Sequence, residues 1–162
     1  MSAMWKYLAF ALSLVAASNA WAGPYDPIVT KAWVDESLPG KDSSELQLNL
    51  TTIKAVKLLS VSSPAAESIE IHNKKMHRGK SEIRVLNSLS LPAHRTTTFG
   101  SNGLFLMMTG LKQPLNTGDR VPLSLTFVYA DKKIHVISTE AEIKKIDLSY
   151  KRYGPDDKYN HR

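Results

Sequence analysis

The feature that most constrains this chain is a two-residue hydrophobic rhythm, broken every few residues by turn signals. Leu46-Gln47-Leu48-Asn49-Leu50 alternates apolar and polar residues, the period of a strand with one face buried. Similar segments follow in order: Ile28 to Val34, Ala55 to Val61, Ser68 to His72 with Ile69 and Ile71 on one face, Ile83 to Val85, and the Thr-rich stretch Arg95 to Phe99. Leu104 to Met108 is continuously apolar and reads as a buried strand. Val121 to Tyr129 and Ile134 to Ser138 are further strands, and Glu140 to Leu148 suits either a last strand or a helical turn. Turns are expected at Gly40 to Ser44, Ser62-Ser63-Pro64, Gly100 to Gly103, Gly118-Asp119 and Asp131-Lys132-Lys133. Many short strands with such punctuation predict an all-β, antiparallel β-sandwich or barrel.

The amino-terminal residues have a different character. Lys6 precedes an apolar run from Tyr7 to Ala17, and small residues lead to Ala20-Trp21-Ala22. A charged start, a short apolar stretch and an Ala-x-Ala site form a secretory signal, so residues 1–22 are expected to be removed on export. The run is shorter than the ~20 apolar residues of a membrane span, and no other segment of the remaining chain is long enough. Taking 22 from 162 leaves 140 residues, one ordinary domain able to bury roughly two thirds of its unfolded surface. Its formal charge falls from +6 to +5 with the loss of Lys6. The domain is expected over 23–148, and 149–162 reads as a polar, disordered tail.

Chemistry is bounded by what the composition lacks. There is no cysteine, which removes disulfides, thiol nucleophiles, iron–sulfur clusters and cysteine-based zinc sites. No phosphate loop, H-E-x-x-H motif or nucleophile elbow occurs, so no enzyme is expected. The basic residues Lys74, Lys75, Arg78, Lys80 and Arg84 read as a solvated loop, and a nucleic-acid partner is not expected. Soft-metal chemistry would have to use Met and His. The methionines beyond the signal are Met76, Met107 and Met108, and Met76 lies in His72-Asn73-Lys74-Lys75-Met76-His77. Met107 and Met108 suit core filling equally well. Of the other histidines, His94 reads as a solvated turn residue, His135 as structural or exposed, and His161 as part of the tail.

Several stretches resemble the PCu(A)C (DUF461) periplasmic copper chaperones. Ala32-Trp33-Val34 is similar to that family's first strand. Leu59 to Ala66 with Ile69-Glu70-Ile71-His72 resembles V-S-S-P-A-A…V-E-L-H. Leu106 to Leu115 resembles L-M-L-M-G-L-K-x-P-L, and Gly118 to Phe127 resembles G-D-x-V-P-L-T-L-x-F. The likeness implies a cupredoxin-like, Greek-key sandwich that binds Cu(I) as a copper chaperone and supplies it toward cytochrome oxidase assembly. A copper-accepting oxidase subunit or another copper chaperone is the implied partner, and a monomer is expected.

The family's copper signature, H-x10-M-x21-H-x-M, places its first His on His72 and its last Met on Met107 without a gap. The middle positions hold Ile83 and Phe105, which carry no donor atom. If each lost donor is worth ~1–3 kcal/mol, binding weakens by roughly one to four decades. Two accounts follow. Met76, on the strand parity of His72, and His77 could swing in beside Met107 and rebuild a four-donor site. Otherwise copper has been abandoned, and the scaffold binds a protein partner through an apolar patch at Ile83 and Phe105.

Overall fold

In a computed structural model, the described residues are 25–146 apart from 78, 101 and 102. The signal segment, the tail with His161, and the middle of the turn at 100–103 lie outside them. Ten strands and no helix are present among the described residues: β1 (Ile28–Asp35), β2 (Ser43–Thr52), β3 (Val56–Ser62), β4 (Ala66–His77), β5 (Lys80–Leu86), β6 (Leu89–Leu91), β7 (Arg95–Phe99), β8 (Leu104–Leu111), β9 (Arg120–Val128) and β10 (Ile134–Lys144). The expected all-β sandwich is therefore the fold, and its strands form one sheet curled on itself.

The sheet runs β5-β4-β8-β2-β1-β10-β9-β3-β6, and an added β3–β4 pairing at Val61 and Ile69 closes it. Seven strands complete the ring: β4, β8, β2, β1, β10, β9 and β3. A closed ring with an odd number of strands cannot be antiparallel throughout. Within the expected antiparallel architecture one pair departs: β1 runs parallel to β10 through Trp33–Glu142, Val34–Ile143 and Asp35–Lys144. β2 serves two partners in turn, β8 over its first half and β7 over its second.

The alternation read from β2 is the alternation of burial. Leu46, Leu48 and Leu50 are sealed in the core with Leu58, Leu106, Met108, Leu123, Leu125 and Phe127. Several element boundaries differ from the sequence reading. Ser43 and Ser44 begin β2 rather than end a turn. Of the segment Glu140 to Leu148, the part to Lys144 continues β10 as strand, and residues 147 and 148 lie outside the described residues. β8 is only half buried: Leu106 and Met108 point inward, while Phe105 and Met107 take the opposite face. The basic residues Lys74, Lys75, Lys80 and Arg84 lie on the paired strands of a β4–β5 hairpin, not in a loop. Cross-strand pairing there replaces the missing apolar alternation.

Candidate functional site

The register of three strands builds the face on which the sequence-predicted donors lie. Ile69 and Ile71 of β4 turn toward the core, so Glu70, His72 and Lys74 turn outward. β8 pairs antiparallel with β4, placing His72 opposite Phe105 and Glu70 opposite Met107. On the other side β5 sets Val85 opposite His72 and Ile83 opposite Lys74. Glu45 of β2 faces Met107 from beyond β8. His72 and Met107 are thus diagonal neighbours on one face, a relation that puts backbones about 7–8 Å apart and long side chains within reach.

His72 is held rather than free. Its Nε2 lies 2.8 Å from a Glu70 carboxylate oxygen, and its side chain is 17% exposed. Its ring leans on Phe105 with 5.1 Å between centroids and a 47° tilt. The carboxylate fixes the imidazole's orientation, as carboxylates do for metal-binding histidines. Met107 is half-buried and borders a cleft of about 200 Å³ that also includes Asp35, Ser44 and Glu45. Phe105 and Ile83 share this face and add apolar surface, Ile83 being 54% exposed.

The structure does not bring Met76 or His77 to Met107. Met76 stands near the hairpin end, 69% exposed. Six residues along β4 separate it from Glu70, the level of Met107, and that is about 20 Å at strand rise. His77 alternates to the opposite face of β4 from His72 and borders a shallow pocket with Lys75, Glu82 and Arg84. Among the described residues no three His, Asp or Glu side chains converge to hold a metal ion. His94 is an exposed turn residue, as read from sequence.

Sequence reasoning missed Glu70 as the partner of His72, although the strand period at positions 70 and 72 carries the signal. It also missed a cluster at the far end of the sandwich. His135 Nδ1 lies 2.8 Å from Asp26, whose carboxylate also accepts from the Tyr129 hydroxyl at 3.2 Å. Tyr129 also donates to the Tyr25 carbonyl at 2.9 Å, and the Lys54 ammonium sits 3.7 Å above the Tyr25 ring. These residues line a cleft of about 600 Å³. Burial pushes the Tyr129 phenol up to about 12, with the Asp26 carboxylate adding to the effect. More than a hundred residues separate Asp26 from its partners, so no local pattern announces the cluster.

Comparison with known proteins follows the same lines. The sequence model of the family described as "Putative lipoprotein LpqE-like" matches residues 16–136. The "Putative lipoprotein Lxx21020" of Leifsonia xyli subsp. xyli is 27% identical over 100 residues, which are 61% of this chain and 60% of that relative. The match thus spans three fifths of the relative's length. Among solved structures, apo-DR1885 from Deinococcus radiodurans is 25% identical, with 90% of this chain and 97% of that one covered at a TM-score of 0.59. The copper-bound PCuAC domain from PmoF2 is 15% identical, with 73% of this chain and 92% of that one covered at a TM-score of 0.59. At that identity the second likeness is one of fold.

Proposed function

The chain belongs to the LpqE-like family, and from that premise we propose that it is an extracytoplasmic copper-binding protein that takes Cu(I) as cargo at His72 and Met107. One observation carries the reading: the β4–β8 register sets an imidazole and a thioether diagonally on one face of a fold shared with copper-bound PCuAC domains. Both are donors that suit Cu(I). A thioether also forms no disulfide, which matters in an oxidising compartment.

Glu70 presents the His72 ring, and Phe105 packs against it to narrow the directions from which water reaches the metal. Phe105 and Ile83 stand where the resembling family has donors, so the ion is held by fewer ligands than a closed four-donor site supplies. Such a site is weaker and exchanges readily, which suits handing cargo to a copper-accepting oxidase subunit or another copper chaperone. Export with cleavage after Ala22 completes the proposal, and the exported chain should have the mass of one starting at Gly23. None of the 162 residues is a cysteine, so no lipid can be carried on a thiol within them.

Titration of the exported chain with Cu(I) under a competing chelator tests the site. One equivalent should be taken up. His72→Ala and Met107→Ala should each weaken binding by at least about tenfold, the equivalent of ~1.4 kcal/mol. Met76→Ala should leave the affinity unchanged. Absence of uptake by a folded chain would overturn the copper reading. A second reading then stands, because Ile83 and Val85 are more than half exposed beside His72: the apolar face would serve protein binding alone.

A further inference from the structure

The strand β5 ends the sheet. It pairs with β4 over its whole length, from Lys80–His77 to Leu86–Ile71, and no other described strand pairs with it. Every residue from Lys80 to Val85 is exposed. Ile83 and Val85, 54% and 55% exposed, point to the face that carries His72 and Phe105. Such a strand offers a row of unpaired backbone groups to another strand. Proteins usually blunt these edges with a proline, a bulge or charged side chains, lysine above all. β5 has no proline and an unbroken register, its one lysine is at its end, and its mid-strand charges, Glu82 and Arg84, are of opposite sign.

The charge pattern of Lys80-Ser81-Glu82-Ile83-Arg84-Val85-Leu86 says which strand fits. An antiparallel copy centred on Ile83 sets each Glu82 opposite the other copy's Arg84. Ile83 then meets Ile83, Ser81 meets Val85, and Lys80 meets Leu86. Sliding the register by two residues destroys this match. Centred on Glu82, carboxylate faces carboxylate and each Lys80 faces an Arg84. Centred on Arg84, guanidinium faces guanidinium. Like charges directly opposite each other are destabilising in a sheet, and opposite charges favour the pair.

We propose that β5 is a self-recognition edge on which a second copy of this chain docks antiparallel about a two-fold axis through Ile83. This replaces the monomer expected from sequence and stands independently of whether copper is bound. The two sheets become continuous, and the apolar rows of the two protomers, Val85 and Ile83 beside His72, join across the axis. Lys74 and Lys75 lie one strand inward, so they do not face their own copies. A single edge buries little surface and falls in the weak class below about 1,200 Å², so the dimer forms at high protein concentration and dissociates on dilution.

The absence of cysteine makes a direct test possible. Residues opposed in an antiparallel pair have Cα atoms about 4.5–5.5 Å apart, within the roughly 4.4–6.8 Å that a disulfide spans. Mild oxidation of the Ile83→Cys chain should give a covalent dimer as the main product. An Ile134→Cys control, 63% exposed on β10 in the parent, should stay monomeric. Sedimentation then separates self-recognition from mere exposure. Glu82→Arg and Arg84→Glu should each abolish the dimer, and mixing the two variants should restore it as a heterodimer, since each supplies the other's missing charge. Circular dichroism of each variant should match the parent, because the 2.8 Å Arg84–Glu82 pair within one chain is exposed and of little worth to stability. Cross-linking no greater than the control, or a mixture that stays monomeric, overturns the proposal and leaves the edge to another protein or to residues 147–162 of the same chain.

Discussion

The Tyr129 phenol shows how the fold alters a single side chain. It donates to the Tyr25 carbonyl at 2.9 Å and to the Asp26 carboxylate at 3.2 Å, and its ionisation is pushed from 10.0 up to about 12. The protonated form is neutral and is the form the fold favours. The stabilisation is therefore fully present below pH 10, the unfolded value, and is lost as pH rises through about 12. Absorbance at alkaline pH should show one late-titrating tyrosine that Tyr129→Phe removes. The same variant should lose about 1 kcal/mol at neutral pH, the ordinary net worth of a hydrogen bond, and its stability should fall less steeply between pH 10 and 12. A full set of tyrosines titrating near 10 would contradict this geometry. At this scale the sequence was readable mainly through its resemblance to a family. That family's copper signature marked His72 and Met107, but their diagonal relation needs the β4–β8 register. Asp26, just before β1, and His135 of β10 meet only through the fold.

Elements were readable where they alternate and were misjudged where pairing alone sustains them. β2 stands out as Leu46 to Leu50, while the outer part of β4, which carries Lys74 and Lys75 on opposite faces, and Lys80 of β5 read as loop. β6, three residues between turns, has no pattern to find and exists through its pairing with β3. The joint between β4 and β8 rests on Gly103, which has φ +80 and accepts from the Lys74 amide at 2.6 Å. A Cβ there would collide with the Lys74 carbonyl oxygen. Gly118, with φ +94, has nothing within 4 Å of such an atom. Gly118→Ala should therefore cost only the backbone term, about 1 kcal/mol, and Gly103→Ala that term plus displacement of β4, about 2–3 kcal/mol or more. Denaturant unfolding measures both. Amide exchange should quicken around His72 and Phe105 in Gly103→Ala alone. Equal costs in the two variants would mean that the β4–β8 joint does not depend on this contact.

The ring is the property that no segment contains. Strand directions alternate easily through hairpins, but seven strands in a closed circuit force one parallel pair, and here it joins the two ends of the described chain. Trp33 and Glu142 are partners across 109 positions, 142 less 33, whereas β9 and β10 meet through the short turn at Tyr129 to Lys133. Loop closure grows costlier with length, and non-local pairing slows folding. The hairpin should therefore form before the ring closes. Val34, fully buried between β2 and β10, belongs to the closure, and Leu125, fully buried on β9, belongs to the hairpin layer. Removing Val34's two methyl groups should cost about 1.6 kcal/mol at ~0.8 kcal/mol for each buried carbon, and Leu125→Ala about 2–5 kcal/mol. Stopped-flow chevrons distinguish where each loss falls. Val34→Ala should mainly speed unfolding, since contacts formed after the transition state act on that limb, and Leu125→Ala should mainly slow folding. If Val34→Ala slows folding in proportion to its destabilisation, the chain ends meet early, and the parallel pair organises the sandwich instead of sealing it.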